Sequence, residues 1–177
     1  MDKTFLHTLI QSKTRMKLLL RFFLNPDSSA YLRGLADEFD ESTNSIRLEL
    51  NRFEKAGFIK AHKDGNKKIY TVNTEYPLFG DIQQIAFKHF GIDQIVEAVV
   101  KKLGDIQTVY VTGDLARGLD TQVIDVTLIG DDINRQYLSK LVIKTEKLIG
   151  RKLRTLVYST DDKATIEQPK LLIYGEE

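Results

Sequence analysis

The chain has 177 residues, 42% of them hydrophobic and 29% charged, enough for one large or two small soluble domains. A formal net charge of +1 argues against a protein that coats nucleic acid by bulk electrostatics, and the absence of cysteine excludes disulfides, thiolate metal sites and cysteine nucleophiles. No apolar run approaches the roughly 18 residues that span a bilayer, and charge interrupts MDKTFLHTLIQSKTR too early for a signal peptide, so a cytoplasmic protein with no membrane partner is expected.

In chain order, Phe5, Leu6, Leu9 and Ile10, then Met16, Leu18, Leu19, Leu20, Phe22 and Phe23, predict a helix-rich opening ended by Asn25-Pro26-Asp27. Met16 to Phe23 is too apolar for one side of a monomeric surface helix. It is either the buried first helix of its domain or a helix whose surplus face packs on a second copy, and a homodimer is the expectation that follows. Leu32, Leu35, Ala36 and Phe39 then recur at helical spacing, Asp40-Glu41 gives a polar turn, and Ser42 is an N-cap for a helix with Ile46, Leu50 and Phe53 inward. Gly57 stands where a glycine stops a helix. Phe58 to His62 and Lys67 to Val72 read as two strands around the turn cluster Lys63-Asp64-Gly65-Asn66. Helix, turn, helix and basic hairpin is the order of a winged helix-turn-helix.

The polar face of the second helix points to double-stranded DNA as partner. With Ile46, Leu50 and Phe53 inward, Asn44, Arg47 and Asn51 share the opposite face. Their forked donors and acceptors match adenine and guanine edges in the major groove. Ser45 joins them, while Arg52 and Lys55 flank them within reach of phosphate, and the hairpin adds Lys63, Lys67 and Lys68 for the backbone. Charge is divided in the same sense: residues 1–80 carry 13 Lys+Arg against 10 Asp+Glu, and residues 81–177 carry 13 against 15.

Thr74-Glu75-Tyr76-Pro77 is the expected domain boundary, giving a winged domain over 1–76, a helical linker over 77–104 and a third segment over 105–177. Ile82, Ile85, Ala86 and Phe90 continue at helical spacing to Gly91, and Ile95, Val96, Val99, Val100 and Leu103 form a second run closed by Gly104-Asp105. These are two helices, or one kinked at Gly91. From Ile106 the period changes: strands at Val109 to Val111, Val123 to Ile129, Leu153 to Tyr158 and Lys170 to Tyr174 flank an amphipathic helix from Asn134 to Ile149. The whole is an α+β chain ending in a small α/β domain with a mixed sheet. His7, His62 and His89 lie on separate elements and support neither a metal triad nor a serine triad.

The stretches LIQSKTRMKLLLRFFLNP, YLRGLADEF, IRLELNRFEKAGFI and DGNKKIYTVN resemble the winged-helix transcriptional regulators of the ArsR-like group over residues about 9–79. More closely, they resemble regulators in which that domain precedes a nucleotidyltransferase-like domain. Gly34 departs from the family, which commonly has Glu there, and a mid-helix glycine costs roughly 1 kcal/mol relative to Ala. In the C-terminal half, Thr112-Gly113-Asp114-Leu115-Ala116-Arg117-Gly118 followed by Leu119 to Val126 looks like the minimal nucleotidyltransferase signature: strand, Gly-Ser, a one-turn helix ending Ala-Arg-Gly, then a strand with two alternate carboxylates. In such enzymes the carboxylates, with a third from a later strand, hold two Mg²⁺ for phosphoryl transfer. Gly113, Arg117, Gly118 and Asp125 match, but Asp114 replaces the serine, Thr127 the second carboxylate, and Arg154 or Thr155 the third. One carboxylate cannot clamp two metal ions, and Asp114 would repel a triphosphate.

The resemblance therefore implies a DNA-binding regulator, not an enzyme, with no cofactor. Its vestigial nucleotide site (Gly113, Asp114, Arg117, Gly118, Asp125 and Thr127) would serve sensing of a nucleotide-like effector, dimerisation or docking. Arg117 meets a phosphate there, or pairs with Asp114 or Asp120. The alternatives are an active nucleotidyltransferase docked by its winged domain, a winged helix used for protein contact, or turn glycines in an unrelated α/β domain.

Overall fold

A computed structural model describes residue 8 and residues 10–103, 106–161, 166 and 170–176. Phe5, Leu6 and Leu9 of the expected opening, and Gly104-Asp105, lie outside the described residues. The chain divides into two compact units, Asp2–Ala86 and Phe87–Glu177, and no helix of the described residues is long and apolar enough to cross a membrane.

The first unit is built on α1 (Lys13–Leu24), started by Ser12, whose hydroxyl accepts from the Arg15 amide at 3.2 Å. Its apolar side chains are spent on burial: Leu18, Phe22, Phe23 and Leu24 are fully enclosed, and Leu19 is half-buried. The short strand β1 (Ser29–Tyr31) leads into α2 (Leu32–Phe39), which stops at Asp40 in the left-handed region. Next comes α3 (Thr43–Lys55), capped by Ser42 accepting from the Ser45 amide at 3.1 Å. Its C-terminus closes through two backbone bonds, Gly57 N–H to Glu54 and Phe58 N–H to Phe53, with Gly57 at φ 79°. That 5→2 and 6→1 pair is a Schellman stop, and the positive φ explains the glycine.

Strands β2 (Ile59–Asp64) and β3 (Lys67–Val72) form a hairpin around Gly65-Asn66, and β1 adds to β3, giving an antiparallel sheet in the order β1-β3-β2. The hairpin is tighter than the sequence suggests, since Lys63 and Asp64 still pair with Lys68 and Lys67. Phe58 anchors the hairpin, edge-on to Phe53 at 5.5 Å, to Tyr76 at 4.9 Å and to Phe23 at 6.2 Å. The order α1-β1-α2-α3-β2-β3 is a winged helix-turn-helix. Helix α4 (Phe79–Phe90) follows, and Phe79 stacks on Phe23 at 5.7 Å.

In the second unit Gly91, at φ 75°, separates α4 from α5 (Ile92–Ile95). The chain then makes a π-helical turn (Val96–Val100) and α6 (Lys101–Leu103). A Cβ at Gly91 would lie 2.5 Å from the Ile149 side chain, so close packing as well as the dihedral requires glycine. Strand β4 (Thr108–Thr112) runs into the one-turn α7 (Gly113–Ala116) and then β5 (Val123–Ile129). Helix α8 (Arg135–Ile149), capped by Asn134, crosses to β6 (Lys152–Tyr158), and β7 (Leu171–Tyr174) completes the sheet. Its order is β6-β5-β4-β7; β4 is antiparallel to β5 and β7, and β5 is parallel to β6. The architecture is thus mixed α and β with a mixed second sheet, as the sequence indicates.

Candidate nucleic-acid interface

Helix α3 is fixed in place by its buried side. Ile46 and Leu50 are fully enclosed and Phe53 nearly so, which turns Asn44, Arg47 and Asn51 outward. On the flank, Glu49 has a side chain only 7% exposed and accepts from Arg15 Nε at 2.8 Å and from Arg52 Nη1 at 2.6 Å. Burial alone would raise the Glu49 pKa, but the Arg15 hydrogen bond and the charges of Arg15 and Arg52 outweigh it and hold the carboxyl below its ordinary 4.5. The bridge ties α3 to α1 across 34 residues of chain. At the C-terminal end Glu54 accepts from Lys68 at 2.7 Å, binding the helix to the hairpin and raising the Lys68 pKa through that bond.

Each expected DNA-contacting residue can now be placed. Asn44, Arg47, Asn51 and Lys55 lie exposed along one face of α3, and Lys63 is exposed on the hairpin. Among the described residues none of the five has a side-chain hydrogen bond or ion pair. Ser45 is partly buried and its hydroxyl lies 2.8 Å from that of Ser42, within the cap. Arg52 is engaged with Glu49, and Lys68 with Glu54 and the Tyr70 ring at 5.1 Å. Lys67 lies 4.6 Å over the Tyr31 ring, and that ring covers Gly34, where a Cβ would come within 3.0 Å of it. Gly34 therefore lets the Tyr31 ring lie close against the helix, and a side chain there would push the ring aside by a few tenths of an ångström. Sequence reasoning missed this stack and the Glu49 bridge, and it passed over Leu48, which lies between Asn44 and Asn51 and is 52% exposed.

The residues of the vestigial site also converge, but on one another. Asp125 and Arg154 are register partners on β5 and β6, and Arg154 Nε donates to Asp125 Oδ1. This bond, the Asp125 charge and then that of Asp114 raise the Arg154 pKa. Of the two candidates for the third position, Arg154 is the one that meets Asp125. Gly113, at φ 65°, sits so close that a Cβ would be 2.5 Å from Asp125 Oδ2. Arg117 reaches Asp114 at 3.9 Å, while Asp120 instead accepts from Arg151 at 2.7 Å. Arg151 is buried, with a side chain 2% exposed, and its guanidinium stacks 4.7 Å from the Phe90 ring centre. Gly118 and Thr127 are buried. Among the described residues no group of three or more His, Cys, Asp or Glu could hold a metal ion.

No protein-family model matches the chain, and no curated protein matches it significantly. Among solved structures, reduced HlyU from Vibrio cholerae N16961 is similar at 13% identity, over 52% of this chain and 82% of that one, with a TM-score of 0.36. The heme sensor protein PefR from Streptococcus agalactiae, in complex with heme, is similar at 15% identity over 48% and 59%, with a TM-score of 0.37. TrmBL2, an archaeal chromatin protein, is similar at 16% identity over 91% and 72%, with a TM-score of 0.31. Likeness at this level carries no argument about function.

Proposed function

We propose that the chain is a sequence-specific DNA-binding transcriptional regulator of the ArsR-like kind, cytoplasmic and homodimeric. In this reading residues 1–76 read double-stranded DNA, 77–104 link, and 105–177 form a nucleotidyltransferase-like domain without transferase activity, left to sensing of a nucleotide-like effector, dimerisation or docking. The observation that carries the DNA reading is the outer face of α3. Asn44, Arg47 and Asn51 stand exposed and unengaged among the described residues, while neighbouring acidic groups are consumed in holding the helix still. The hairpin supports it, since Lys63 and Lys68 are direct cross-strand partners. Glu54 offsets the Lys68 charge, which leaves Lys63 as the cation of this cross-strand pair that can meet an anionic partner.

The absence of catalysis is supported by Arg154. A guanidinium within hydrogen-bond reach of Asp125 puts a positive charge where a divalent ion would need to bind, and the two cations repel. The strand, one-turn helix, strand order, with Asp125 on the second strand, supports the nucleotidyltransferase-like assignment.

The test is fluorescence anisotropy of the full chain on DNA from a binding selection, over a salt series with scrambled competitor. Saturable binding that outlasts competitor, with log affinity falling linearly in log salt, is expected. Arg47→Ala should cost about 1–3 kcal/mol and relax specificity at one base position. Equal binding to scrambled DNA at every salt overturns the reading. Light scattering on the free and DNA-bound protein tests the homodimer, which would set two α3 helices on half-sites one helical turn apart.

A further inference from the structure

Leu48 lies on the outer face of α3, away from the helix's buried side, and is exposed. Resting on the DNA reading above, we propose that Leu48 reads the 5-methyl group of a thymine in the major groove and is a specificity-determining residue of α3. The helix repeat places it between Asn44, one turn before, and Asn51, one turn after, on the side opposite Ile46, Leu50 and Phe53. It is 52% exposed, and no other residue of α3 is among the exposed large apolar side chains of the described residues. Every other exposed residue of α3 is polar or charged: Thr43, Asn44, Arg47, Asn51, Arg52 and Lys55. An isolated surface leucine needs no explanation in general. This one stands in the middle of the face that would enter the groove, flanked by the side chains that would bond base edges.

The chemistry fits one base. Thymine alone presents a methyl group in the major groove, and apolar side chains recognise it by contact. Asparagine beside the leucine adds discrimination, because Asn bonds adenine bidentately through N6 and N7. Asn44 or Asn51 on an adenine and Leu48 on a neighbouring thymine would together select an A·T-containing step. Leu48 is the sixth residue of α3, in the N-terminal half that would meet base edges.

The experiment takes the site enriched by selection from a random duplex library with the full chain. Each thymine is replaced in turn by deoxyuridine, which deletes the methyl and keeps the base pair. Anisotropy titrations follow with wild type, Leu48→Ala and Leu48→Asn, whose exposed position leaves the core untouched. Burying one methyl-sized group is worth roughly fourfold in affinity. A single uracil at the contacted position of one half-site should weaken wild type by about that factor and leave both variants unchanged. Restoring the methyl on cytosine at an adjacent cytosine-containing site should not replace it. Two outcomes overturn the proposal: no uracil substitution distinguishes wild type from Leu48→Ala, or the enriched site holds no thymine within the α3 footprint. A selection that enriches no sequence at all sinks the DNA reading instead, and with it this one.

Discussion

The outer face of α3 and the cluster around Asp125 are both groups of polar side chains set on a well-packed scaffold, and they dispose of their charge in opposite ways. On α3 the acidic residues Glu49 and Glu54 are matched by Arg15, Arg52 and Lys68, while Asn44, Arg47, Asn51 and Lys55 are left outward. Around β5 the pairing is internal: Arg154 takes Asp125, Arg117 takes Asp114, and Gly113 leaves no room beside the carboxylate. A surface shaped for a partner keeps donors unspent, because an internal pair must be broken before a ligand can use either member. The first region leaves its donors outward and the second pairs its charges internally.

The strongest way to break that contrast is to remove the clamp. Glu49→Ala should cost about 2–3 kcal/mol of stability, measured by urea unfolding, since it deletes a buried carboxylate that two arginines share. It should weaken DNA binding only through the misplaced helix. The pH dependence has a definite sign. The folded-state pKa of Glu49 lies below its ordinary 4.5, so the contribution is complete above that value and is lost as pH falls through the folded pKa. Acid titration of wild type and Glu49→Gln should diverge above pH 4.5 and converge well below it. Parallel curves throughout would remove the bridge from the stability of this unit.

Next in size is Gly113→Ala, expected to cost about 2 kcal/mol because φ 65° is unfavourable for a side chain and the new Cβ strikes Asp125. If the two regions differ as described, this variant keeps wild-type DNA affinity at temperatures where it is folded, which anisotropy and thermal melting together would reveal. Smallest of all, Lys63→Ala should leave stability within about 0.5 kcal/mol and lower the slope of log affinity against log salt by about 1 for each bound protomer. An unchanged slope would take the hairpin tip out of the phosphate contacts.

Much of the first region was legible because its determinants are local. Ser42 three residues before Ser45, Gly57 after the last turn of α3, and Gly65-Asn66 between two strand runs each specify a cap or a turn within a few residues. Strand β1 was not legible, since Ser29–Tyr31 is too short to show alternation and is recruited by β3 from 40 residues away. Gly34 illustrates the limit of propensity: read alone it weakens a helix, yet in the fold it admits the Tyr31 ring. In the second region the departures at Asp114 and Thr127 could be read directly, while the pairing of Arg154 with Asp125 needed the parallel register of β5 and β6.

The Asp125–Arg154 bond also carries a practical consequence. A side chain tethered to the backbone supplies the counter-charge, so its local concentration never changes, whereas a diffusible cation comes and goes with its supply. The pair is largely exposed on the arginine side and its attraction is screened over roughly 8–10 Å at cellular ionic strength. This corner of the protein should therefore answer to the total salt around it and be indifferent to chelators, a behaviour opposite to that of a magnesium-dependent enzyme.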